Sequence, residues 1–200
     1  GPLDYAFRTY SILPDAGSFT VSDGGRTPVA VATPTGSEMT IASYNLERFF
    51  DTVNDPGIGE PVLTQAAFGD RLAKASLGIR DFLKAPDILG IIECENLTTL
   101  QALAAQISAD ANAASQSDPK YQAFLIEGND VGGIDVGFLV KSAPVSGATP
   151  RVEVVAVTQV NAAELFVNLD SSTEPLNDRP PLVLEAIVHH SNGAAFPVTV

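Results

Sequence analysis

The stretch Pro86-Asp87-Ile88-Leu89-Gly90-Ile91-Ile92-Glu93-Cys94-Glu95-Asn96 decides how the chain is read. Five consecutive small or apolar residues, Ile88 to Ile92, are too uniformly hydrophobic for a strand with one wet face. They predict a central strand buried on both sides, as in sheets covered by helices. Pro86-Asp87 breaks whatever precedes it. The run ends in Glu93, and a carboxylate at the carboxyl end of a central strand sits where open α/β sheets gather ligand-binding groups. Oxygen donors of this kind suit hard divalent cations such as Mg²⁺, Mn²⁺ or Ca²⁺. Glu95 points the same way as Glu93 if the strand continues to residue 95. The competing reading makes these carboxylates a loop, with Asn96 or Thr98 capping the next helix.

Upstream, Met39 to Tyr44 reads as a strand, and Asp51 to Glu60, rich in Asp, Gly and Pro, as a loop. Thr64 caps a predicted helix running to about Lys84, with Phe68, Leu72, Ile79 and Phe82 on or near one face. Downstream, a second helix is expected from about Thr98 to Ser108, burying Leu100, Leu103 or Ala104, and Ile107, with Asp110 to Lys120 as a loop. Strands follow at Tyr121–Ile126 and Ile134–Lys141, joined by the turn-rich Glu127 to Gly133. Arg151–Val160 is a further strand, and Phe166-Val167 a short one before the polar loop Asp170–Pro181. Leu182–His189 and Phe196–Val200 form a hairpin around Ser191-Asn192-Gly193. Residues 1–37 read as a preface: one strand at Tyr5–Ile12, turns at Pro14-Asp15-Ala16-Gly17 and Asp23-Gly24-Gly25, and the linker Thr33-Pro34-Thr35-Gly36. The chain ends on the apolar strand residue Val200, which suggests a fragment.

Composition bounds the class. Apolar residues make up 45% of the 200 and charged residues 18%, which argues for a packed core and against disorder. Eleven Lys and Arg against 24 Asp and Glu give a net charge of -13. No bulk basic footprint for nucleic acid is visible, so a phosphate ligand would need a metal or a local basic patch. A single cysteine, Cys94, excludes an internal disulfide and a Cys-rich metal site. No apolar run approaches the roughly 18 residues of a membrane span.

Ile41-Ala42-Ser43-Tyr44-Asn45 adds a strand that ends in Asn. Alone, such an Asn is a turn former. Taken with Pro86 to Glu93, the pair resembles the endonuclease/exonuclease/phosphatase superfamily, the DNase I-like proteins. There the opening strand reads apolar-x-Ser-x-Asn, and a later one Pro-Asp-Ile-apolar-x-apolar-Gln-Glu. Ile92 stands where that family has Gln. Leu46-Glu47-Arg48-Phe49-Phe50-Asp51, Glu93-Cys94-Glu95-Asn96-Leu97, Gly132 to Val140 and Leu176 to Leu182 resemble a branch of bacterial secreted nucleases.

The resemblance spans about residues 38–200 and implies the first half of a four-layer α/β/β/α sandwich. It implies catalytic roles for Asn45 and Glu93, with Glu93 as the metal ligand, and substrate-side positions for Asp135 and Arg179. The implied cofactor is Mg²⁺, with Mn²⁺ or Ca²⁺ as substitutes. The implied activity is phosphodiester hydrolysis by an extracellular endonuclease. The alternatives are a phosphomonoesterase, a lipid phosphodiesterase, or a non-catalytic binding module of the same fold. The family's Asn-His pair, Asp-x-Asn and terminal Asp-His have no counterpart here. His189 and His190 end a strand before the first catalytic His would fall. The expectation is therefore an inactive fragment with an exposed apolar sheet face. Its expected partners are a phosphate-ester substrate, nucleic acid, and a complementary C-terminal fragment or a second copy. The preface resembles the closing strand of a small β domain.

Overall fold

The computed structural model describes residues 2–6, 8–15, 17–20, 22, 24–25 and 27–200. Parts of three preface readings, at Gly1, at Ala16 in the first turn and at Asp23 in the second, lie outside the described residues. The chain is mixed α/β. Its centre is a four-stranded sheet in the order β3-β4-β6-β5, made of β3 (Ile41–Phe49), β4 (Ile88–Cys94), β5 (Tyr121–Leu125) and β6 (Asp135–Lys141). β3 runs parallel to β4, and the β4–β6 and β5–β6 pairs are antiparallel.

The apolar run at 88–92 is the central strand β4, as its composition requires. Leu89 and Ile91 face one cluster, where they meet Leu72 and Ala75 of α1 (Gln65–Leu77), Ile79 of the turn that follows it, and Leu100, Leu103 and Ile107 of α2 (Leu97–Ala113). Ile88 faces the opposite cluster with Phe138 and Val140, against Val152, Leu182, Leu184, Ala186 and Val188. These last residues belong to a second sheet, ordered β13-β12-β9, of β9 (Val152–Gln159), β12 (Leu182–His189) and β13 (Ala195–Thr199). One face of the central sheet is thus covered by helices and the other by strands. The apolar face expected to be exposed is covered by this second sheet. Each fully buried Leu or Ile contributes about 2 kcal/mol of apolar transfer.

Local signals explain the helices. Thr64 caps α1, its hydroxyl accepting from the Ala67 N–H at 3.2 Å, worth about 1 kcal/mol. The helix continues as a π-helical turn, Gly78–Phe82, and stops where Lys84 and Ala85 turn left-handed. Asn96 caps α2 by accepting from the Thr99 N–H at 2.8 Å. α2 extends to Ala113, beyond the expected end near Ser108, because Ala111 packs into the interior.

Two readings are corrected. Tyr5–Ile12 is not one strand. The chain turns at Arg8 (φ 61°) to make the hairpin β1 (Leu3–Ala6) and β2 (Thr9–Ile12), while Phe7 lies outside the described residues. No Gly, Asn or Asp stands at the turn to mark it. Between β6 and β9, a stretch given no element above, lie two short paired strands, β7 (Pro144–Ser146) and β8 (Thr149–Pro150). The polar segment 170–181 contributes β11 (Thr173–Pro175), paired with β10 (Leu165–Val167) in an exposed arm. No helix among the described residues is long and apolar enough to cross a membrane.

Candidate functional site

The carboxyl ends of β3 and β4 meet through their side chains. Parallel pairing sets Asn45 opposite Ile92, one residue before Glu93. The Asn45 amide nitrogen donates to Glu93 Oε1 at 3.1 Å. The chain then makes two successive left-handed residues, Glu47 (φ 57°) and Arg48 (φ 56°). That turn brings the Glu47 N–H to Asn45 Oδ1 at 2.7 Å and the Arg48 N–H to Glu93 Oε2 at 3.0 Å. Arg71 of α1 holds the turn from outside, its guanidinium donating to the carbonyls of Leu46 at 2.9 Å and Glu47 at 2.6 Å. Leu46, Phe49 and Phe50 anchor it in the interior.

Glu93 is itself left-handed (φ 64°), and the ladders shift register on both sides of it. A bulge of this kind re-aims a side chain at the rim of a sheet. A non-glycine residue held here stores about 1 kcal/mol or more of strain, of the sort that collects at functional sites.

The same bulge corrects the expectation for Glu95. β4 ends at Cys94, so Glu95 turns inward and is 4% exposed, away from Glu93. It accepts from the Asp51 N–H at 2.6 Å and lies 3.3 Å from the Thr99 hydroxyl, which also donates to Asp51 Oδ2 at 3.0 Å. Burial pushes its carboxyl up to about 7, helped by the charges of Asp51 and Asp55. Burial also pushes the Cys94 thiol up to about 12, so it is an inert filler.

Of the two residues expected on the substrate side, only Arg179 reaches the Asn45–Glu93 pair. Its Nη1 is 3.9 Å from Glu93 Oε1 and its Nε 3.8 Å from Asp130 Oδ2. Asp135 is buried beneath the turn at residues 127–133, accepting from the Gly128 N–H at 2.7 Å. Burial first, then the charges of Glu127 and Asp130, push its carboxyl up to about 6. Asp135 acts through the chain above it. The Asn129 N–H donates to the Asp178 carbonyl at 2.7 Å, which fixes the segment carrying Arg179. A Cβ on Gly128 would lie 2.7 Å from both Asp135 Oδ1 and Pro180 Cδ, so the close approach needs glycine.

His189 and His190 lie toward the other end of the molecule. His190 Nδ1 is 3.2 Å from Arg151 Nη1, and Arg151 pairs with Asp87 at the start of β4. Seven strand residues put that end about 20 Å from Glu93. His189 pairs with Glu153 at 3.0 Å.

As a cation site the arrangement is partial. Glu93 accepts one amide bond on each oxygen, which leaves lone pairs free on a group that offers about four. Among the described residues no group of three or more His, Cys, Asp or Glu converges to hold a metal. Glu93 fits the role of one hard oxygen ligand, and the other ligands are not supplied by these residues.

Sequence reasoning missed Arg48 and Arg71. An isolated Arg in a helix carries no motif, and only the αL turn reveals why Arg71 is needed. No family model matches the chain, and no curated protein or solved structure matches it either.

Proposed function

We propose that this chain carries the phosphate-positioning half of a metal-dependent phosphodiester hydrolase of the endonuclease/exonuclease/phosphatase kind, acting as an extracellular bacterial endonuclease. The fold proposed for it is the first half of a four-layer α/β/β/α sandwich. The observation that carries the reading is the 3.1 Å bond between Asn45 and Glu93 at the paired carboxyl ends of β3 and β4.

In this reading Glu93 gives one oxygen to a Mg²⁺ or Mn²⁺ ion, and Asn45 and the Arg48 N–H fix the orientation of its carboxylate. When bound, the ion would act as a Lewis acid on the phosphoryl oxygen. Arg179 is placed to meet a non-bridging oxygen with a charged hydrogen bond. Further ligands and a general base come from outside these residues, from a complementary C-terminal segment, so the 200 residues alone hydrolyse little or nothing.

The test is plasmid nicking by the chain joined to the segment that supplies the remaining family motifs. Nicking is expected with Mg²⁺ or Mn²⁺, and it should disappear on chelation and in Glu93→Gln. Nicking that survives Glu93→Gln overturns the assignment. A second reading is favoured by one contact: the Arg179 guanidinium at 3.9 Å already faces Glu93 where a cation would sit. That suits a metal-free binding module of the same fold, for which no nicking would be seen under any metal.

A further inference from the structure

A cleft of about 620 Å³ opens beside Asn45, between the β3 turn and α1. Its lining includes Arg48, Arg71 and Lys74, with Glu47 as its only acid. That is three of the eleven basic side chains of a protein whose net charge is -13. Among the described residues none of the three has an ion-pair partner. Four of the other basic side chains, Arg80, Lys141, Arg151 and Arg179, are all paired with carboxylates.

Two of the three cations are also held in place. Arg48 lies 5.5 Å over the Phe50 ring and Arg71 5.3 Å over the Phe49 ring. Both rings belong to buried residues, so each guanidinium rests on a fixed support. Arg71 gives Nη2 to the turn carbonyls, while Arg48 and Lys74 are exposed. Unpaired, ordered cations cost self-repulsion unless a ligand neutralises them, and a cleft with walls of low dielectric strengthens their field locally.

We propose that this cleft binds the phosphodiester backbone of a nucleic-acid strand running away from the Asn45–Glu93 pair. Arg48 and Lys74 contact phosphates, and Arg71 is the positioning residue that holds the wall. The inference rests on the phosphodiesterase reading and deepens it by assigning the place and the side chains that hold the strand's backbone. Phosphate contacts set register and affinity and carry no base information, so binding in the cleft is indifferent to sequence.

The experiment measures anisotropy of a labelled duplex oligonucleotide, without metal, over a range of salt. Arg48→Ala and Lys74→Ala should each weaken binding about fivefold and lower the slope of log affinity against log salt by about 1, additively in the double variant. Lys120→Ala, outside the cleft, should change neither. Melting temperature checks that these surface variants fold. If the duplex binds and both cleft variants leave affinity and slope unchanged, the cleft inference is overturned while the hydrolase reading stands on the nicking assay. If the protein ignores duplex and binds inorganic tripolyphosphate through Arg48 and Lys74, the strand assignment is overturned and the site takes small phosphate esters. If neither binds, the inference fails outright.

Discussion

The two ends of β4 carry the same chemistry and treat it oppositely. At the amino end Asp87, 5% exposed, accepts from the Thr40 N–H at 3.0 Å, pairs with Arg151 at 2.9 Å and lies 3.4 Å from Lys141. At the carboxyl end Glu93 is half-buried, with two neutral amide donors, a guanidinium 3.9 Å away and a left-handed backbone. A saturated carboxylate is a structural tie. An under-saturated one on a strained residue keeps capacity for a ligand, and the difference lies in the partners and not in the residue type.

The sharpest way to break this comparison is Asp87→Ala. It strands the buried Arg151 charge and should cost about 3–5 kcal/mol in urea unfolding. Burial alone would raise the Asp87 carboxyl, but Arg151, Lys141 and the Thr40 N–H outweigh it and hold it below the usual aspartate range. A depressed folded value gives stability that is present above the ordinary pKa and lost as pH falls through the folded one. Wild type should therefore lose stability on acidification, a limb that Asp87→Asn flattens.

Next in size is Gly128→Ala, whose methyl meets Asp135, Pro180 and the Asp178 carbonyl. Overpacking there should cost about 1–3 kcal/mol by thermal melting and displace Arg179.

Asp135→Asn is smaller and of opposite sign to the Asp87 effect. The Asp135 carboxyl is raised to about 6, so its proton is bound more tightly in the folded chain. Wild-type stability should fall as pH rises from the ordinary aspartate value to about 6. The Asn variant should lack that slope in urea melts at stepped pH.

The smallest change in stability belongs to Glu93→Gln, within about 0.5 kcal/mol, although it should abolish any cation binding seen by calorimetry. A large loss on that substitution would make Glu93 a tie like Asp87 and erase the contrast.

Much of this was legible in particular residues. Ile88 to Ile92 announced a strand buried on both faces, Thr64 announced a helix start, Asn96 was one of two caps considered for the next helix, and the family resemblance alone linked Asn45 with Glu93. The hairpin at Arg8 lacks the Gly, Asn or Asp of a usual two-residue turn, so only the shift of large residues from odd (Leu3, Tyr5) to even (Tyr10, Ile12) positions marked it. The fate of Glu95 was illegible because one bulged residue inverts which side its successors face. Asp135 read as a substrate-side group from its motif, and its burial beneath the 127–133 turn, where it accepts from the Gly128 N–H, could not be read from residue order.

The sequence by itself determined the central strand and the helix starts, because these follow from local hydrophobic period and capping chemistry, while only the family resemblance linked Asn45 with Glu93. Only the tertiary structure decided which carboxylates are satisfied and which are left with capacity. It also gathered Arg48, Arg71 and Lys74 into one cleft of an acidic protein. Both depend on backbone turns and on partners distant in the chain, and neither can be read from residue order.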